Sequence, residues 1–131
     1  MQTVAADNDL ALFLERGWGA VDRFAEAEKT SISRSVAIFT ELYKFLSLCA
    51  EGQEPLAPSQ VVDDAWHLTL GDEATYVSLC AAVGRKIEHI PHEQPMPVAY
   101  RRCLGAMQRR FGPLDSTIWG SDSAARCVGA G

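Results

Sequence analysis

Apolar residues recur at helical spacing through most of this chain. Residues 32–50 carry two adjoining stripes, Ile38, Leu42, Phe45 and Cys49 on one and Val36, Phe39, Tyr43 and Leu46 on the other. Two neighbouring stripes bury more than half of a helix circumference, so this segment is expected as the central helix. Residues 7–28 hold an interrupted apolar face of Leu10, Phe13, Leu14, Val21 and Phe24, which Gly17 and Gly19 are expected to kink or split. The stretch 51–58, with Gly52, Pro55 and Pro58, opposes helix and reads as a loop. Ser59 is placed to cap a helix running to about Leu70, with Asp63 and Asp64 near its positive end. Gly71-Asp72 separates it from a helix over about Glu73–Val83, which Gly84 ends.

The prolines between His89 and Pro97 demand extended or turning backbone. A last helix over about 97–111 carries Tyr100, Leu104, Met107 and Phe111 on its core stripe and stops at Gly112-Pro113. Ile118 and Trp119 are expected to fold back as an apolar plug. From Gly120 the residues GSDSAARCVGAG show no periodicity and are expected as a mobile tail. The resulting expectation is an all-α fold: one compact bundle of about five helices over 1–119, a proline-rich loop, and a flexible segment at 120–131.

Composition narrows the function classes. A chain of 131 residues with 47% hydrophobic content can bury a core without staples. A net charge of -5 opposes general binding to nucleic acid or anionic membrane. The basic cluster Arg101, Arg102, Arg109 and Arg110 reads first as a solvated helix face, with an acidic docking partner as the alternative. No basic segment followed by an apolar run opens the chain, and no apolar stretch reaches membrane-spanning length, which suits a cytoplasmic protein. Cys49, Cys80, Cys103 and Cys127 lack paired close spacing and are expected as free thiols, although spacing alone leaves a disulfide open.

Chemistry concentrates in residues 58–91. Asp63 and His67 are four residues apart and share one helix face, while Val62 and Trp66 share the adjoining buried face. Together with Cys80 on the next helix and His89 beside Pro91, they supply carboxylate, imidazole and thiol, the usual donors of a zinc or other transition-metal site. Asp63 can serve as a ligand or can orient the imidazole of His67. The competing reading needs no metal. Asp63–His67 is then an ordinary hydrogen-bonded helix pair, Cys80 a small core residue, and His89 a partner for loop backbone. A nucleophilic Cys80 paired with His67 or His89 is conceivable, but an inward-facing thiol is inert. Trp66, Tyr76 and Trp119 can wall a groove for a protein or peptide partner, or can pack in the core.

The motif around these residues resembles the glycine-rich-domain-containing-protein-like family of plants and bacteria. Its pattern runs P-S-x-x-V-D-x-x-W-H-x-H, then T-x-x-Y, C, G and H-H-x-P. The matching residues are Pro58, Ser59, Val62, Asp63, Trp66, His67, Cys80, Gly84, His89 and Pro91, while Thr75 and Tyr76 supply the threonine and tyrosine side by side instead of three apart. Tyr43, Phe45, Leu46 and Leu48 upstream, and Tyr100, Phe111-Gly112 and Ile118-Trp119 downstream, extend the likeness over about 40–119. The resemblance implies a histidine- and acid-rich site. Thr69 and Glu88 stand where the pattern has further histidines, which implies a reduced site or fewer ligands, and His92 is a compensating ligand only if its loop turns back. Members often continue into glycine- and cysteine-rich tails, and the sequence from Cys127 to Gly131 is similar to a remnant of one. Three readings follow: a small metalloprotein (a hydrolase or modifying enzyme if a coordination position is open), a non-enzymatic adaptor, or a scaffold whose Cys127 segment is modified by other proteins.

Overall fold

The computed structural model describes residues 2–52, 54–120 and 123–131. Its elements run α1 (Gln2–Arg16), α2 (Trp18–Ala27), α3 (Ile32–Ala50), α4 (Gln60–Leu70), α5 (Glu73–Val83), β1 (Glu88–Pro91), α6 (Pro97–Phe111) and β2 (Cys127–Ala130). The first helical segment breaks at Gly17 into α1 and α2, as the interrupted face suggests. Helix α3 packs against the five other helices and β2, the central position that its double stripe requires.

Local chemistry sets the helix ends around the site. The Ser59 hydroxyl accepts from the Val62 N–H, so α4 starts on its expected cap, and the Asp72 carboxylate accepts from the Thr75 N–H and caps α5 in turn. Helix α5 ends at Gly84 with φ of 99°, the left-handed conformation that glycine adopts without steric cost. Pro97 opens α6 at a position where its missing N–H would have had no partner.

The expected plug is present. Ile118 and Trp119 are buried, the Trp119 indole N–H donates to the Glu41 Oε1 at 2.8 Å, and its ring stacks on Tyr100. The Tyr100 hydroxyl donates to the Gly120 carbonyl at 2.6 Å, tying the plug to α6.

Two departures from the expected all-α bundle concern one piece of chain. The fold is predominantly helical but includes a two-stranded antiparallel sheet, β1 with β2. The segment 123–131, expected as a mobile tail, supplies β2 and is largely buried; Ser121 and Asp122 of that expectation lie outside the described residues. The segment runs between two others. On one side Leu56 and Gly129 exchange both backbone hydrogen bonds, and the Ala125 N–H donates to the Pro58 carbonyl. On the other side β1 pairs in register, Glu88 with Ala130, His89 with Gly129, Ile90 with Val128 and Pro91 with Cys127. Small side chains make this possible. A Cβ built on Gly129 would stand 2.7 Å from Cys49 Sγ, 3.1 Å from Trp66 and 3.3 Å from Phe45, so the strand reaches the core only because glycine is there.

Candidate metal centre

Four donors from three elements converge where α4 meets the sheet. Asp63 and His67 come from successive turns of α4, His89 from β1 and Cys127 from β2, and their donor atoms all lie within 4.8 Å of one another. Asp63 Oδ2 is 3.5 Å from His67 Nε2, and Asp63 Oδ1 is 3.4 Å from His89 Nε2. The two Nε2 atoms are 2.8 Å apart, and Cys127 Sγ is 3.6 Å from the His67 Nε2.

A chain of hydrogen bonds sets His89 in place. The Trp66 indole N–H donates to the Tyr76 hydroxyl at 3.1 Å, and that hydroxyl donates to the Ile87 carbonyl at 2.7 Å, two residues before His89. Trp66, fully buried, also meets the His89 ring edge-on at a centroid distance of 4.4 Å. Opposite His89 the register places Gly129, whose missing side chain leaves this face of the sheet open to Trp66 and to Phe45.

Asp63 is the most constrained donor. Its side chain is 3% exposed, against 14% for His89 and 51% for His67. Its Oδ1 is buried and has no hydrogen-bond partner among the described residues. A buried carboxylate oxygen without a hydrogen bond recovers only part of the desolvation cost of its charge. The two imidazoles add to the imbalance: facing at 2.8 Å, one Nε2 must donate and the other accept, so neither can be committed fully to Asp63. Burial, then the neighbouring Asp63 charge and a hydrogen bond to that carboxylate, push the Cys127 thiol up to about 11.

The donor spacing is near that of a tetrahedral ion. Ligands at the usual zinc distances stand about 3.3–3.6 Å apart along the edges of a tetrahedron. The Cys127–His67 separation of 3.6 Å lies in that range, and so do the distances from His67 to Asp63 Oδ2, 3.5 Å, and from His89 to Asp63 Oδ1, 3.4 Å, so a single carboxylate oxygen would turn to serve both histidines. The histidine pair would open by ~0.5 Å.

Of the four ligands expected from sequence, the structure brings together Asp63, His67 and His89 and leaves Cys80 out; Cys127 takes the cysteine position. Cys80 sits buried on the core side of α5 beside Tyr76, one helix away from the cluster. The segment with Cys127 offered no periodic signal, and only strand pairing reveals its position. Thr69 donates its hydroxyl to the Trp66 carbonyl within α4, while Glu88 and His92 are exposed, so none of the three joins the group.

Of the two roles open to Trp66 and Trp119, groove wall or core packing, the structure shows burial. Trp66 and Trp119 are core residues, and the Tyr76 hydroxyl is consumed by Trp66 and Ile87. The basic cluster is partly neutralised: Arg110 pairs with Glu51, while Arg102 donates to the Pro55 carbonyl and faces Glu54. No helix among the described residues is long and apolar enough to cross a membrane. Compared with family models, curated proteins and solved structures, the chain matches none.

Proposed function

We propose that this chain is a metal-binding domain in which Asp63, His67, His89 and Cys127 hold one divalent ion of the zinc class. The observation that carries the reading is the buried Asp63 Oδ1, which has no hydrogen bond and lies among two imidazoles and a thiol. A cation among these atoms would satisfy the carboxylate and relieve the facing Nε2 lone pairs in one step.

The donor chemistry selects the ion. Thiolate and imidazole favour zinc, cobalt or a similar transition metal over magnesium or calcium, which prefer oxygen alone. One carboxylate and one thiolate offset a charge of two, so a divalent ion leaves a centre that is neutral overall. Four protein donors close a tetrahedral sphere, which favours a structural metal over a hydrolytic one. Such an ion would join α4 to both strands of the sheet. The family resemblance points to the same face, since Asp63, His67 and His89 all belong to its motif.

The test is metal content of tag-free protein, with Asp63→Ala and His89→Ala beside it. The expected result is about one equivalent of zinc, lost in both variants while their helical content persists. Cobalt substitution adds a spectroscopic check. A thiolate-to-cobalt absorption band that disappears in Cys127→Ser identifies the sulfur as a ligand.

A further inference from the structure

We infer that the segment 123–131 is a metal-latched strand: the ion fixes it in the gap between residues 56–60 and β1, and removing the ion releases it while the helical body stays folded. This inference rests on the metal-binding reading above and concerns what that ion controls.

The way the segment is held supports this. Its backbone is bonded on both sides, to Leu56, Pro58 and Gln60 on one and to β1, His92 and Met96 on the other. Its side chains contribute little. Ala125, Cys127 and Val128 are its buried side chains, and Val128 is the largest of them. Backbone hydrogen bonds that water can replace contribute modestly to net stability, and small side chains bury little apolar area. The segment therefore has weak packing for a central strand, with one strong attachment available, the Cys127 sulfur.

The helices do not depend on it in the same way. Helix α3 buries Phe39, Leu42, Phe45 and Leu46 against the other helices, and Trp66 and Tyr100 are fully buried from α4 and α6. Of the four donors, two lie on α4, one on β1 and one on the segment itself. An ion would thus convert a local, reversible docking into a cross-link between the segment and the body. On release, the edges at 56–60 and 88–92 would be left unpaired over Cys49, Phe45 and Trp66, a groove shaped for the chain's own residues 123–130.

Hydrogen exchange on the full chain, with zinc and with chelator, tests the inference directly. Amides of residues 125–130 should exchange faster on chelation by on the order of tenfold or more, with α3 amides unchanged. Gly129→Ala supplies a variant that alters no ligand. It should weaken zinc binding and raise exchange in the segment while preserving helical content, because its Cβ would crowd Cys49 Sγ. Zinc binding with equal protection of the segment in both states would overturn the latch and leave the metal site standing. Exchange rising throughout α3 on chelation would also overturn it, since the ion would then hold the whole fold. Failure to bind zinc at all would remove both readings.

Discussion

The Tyr76 hydroxyl donates to the Ile87 carbonyl at 2.7 Å, and through this bond α5 fixes the start of the strand that carries His89. The same hydroxyl accepts from the Trp66 indole at 3.1 Å, so one oxygen joins α4, α5 and β1 behind the donor cluster. Tyr76→Phe should leave an indole N–H and a carbonyl without their partner and cost about 1–3 kcal/mol. Urea denaturation measures the loss. A zinc competition titration should show weaker binding as well, because His89 would lose its positioning contact although no ligand was changed.

Asp63→Asn separates a ligand from a structural hub. In metal-free protein the carboxylate is buried with no hydrogen bond at Oδ1 and only long contacts to His67 and His89, so replacing it with a neutral amide should change stability by no more than about 2 kcal/mol. With zinc present the variant should lose most of the stabilisation that the ion gives to wild type. Thermal melts with zinc and with chelator measure both effects. A large loss of stability in the chelated variant would mean that Asp63 holds the fold by itself.

Alkaline pH should destabilise the metal-free protein. Burial holds Cys103 up to about 12 from an ordinary 9.0, and Tyr100 up to about 12 from 10.0. Burial also raises Cys49, with the nearby Cys103 adding to the effect. Between pH 9 and 12 the unfolded chain therefore gives up protons that the folded chain keeps, as these ordinary and raised values require. The stability these groups contribute is complete below about pH 9 and declines as pH rises toward 12. Denaturation midpoints measured in chelator across that range check the slope. Cys103→Ala should flatten part of it.

The helices were legible because their information is local. The stripes of α3, the cap at Ser59, the break at Gly71-Asp72, the stop at Gly84 and Pro97 at the start of α6 all lie within a few residues of the structure they specify. Asp63 and His67 were legible for the same reason, being one helical turn apart, and His89 came from the motif around Pro91. Cys127 was not legible as a donor. Its partner His67 is 60 residues away, and it reaches the cluster through strand pairing that leaves no local pattern. Its neighbours Val128-Gly129-Ala130 look like a loose end precisely because they are small, yet that smallness admits the strand beside Trp66 and Phe45. Cys80 misled because it lies inside the motif on the core stripe of α5, where burial beside Tyr76 accounts for it without a metal.

The Trp119 plug makes a prediction independent of any ion. Trp119→Ala would remove a buried ring stacked on Tyr100 and a bond to Glu41, and should cost about 3–5 kcal/mol. Calorimetry should show a lower melting temperature with and without zinc. Zinc stoichiometry should be retained at temperatures where the variant remains folded.

Zinc stoichiometry by mass spectrometry in wild type, Cys80→Ala and Cys127→Ala, each reconstituted and dialysed alike, tests the central claim most directly. The account predicts about one equivalent in wild type and in Cys80→Ala, and a loss of tight binding in Cys127→Ala. Wild-type protein that takes up no zinc, or zinc lost with Cys80 and kept without Cys127, would contradict it.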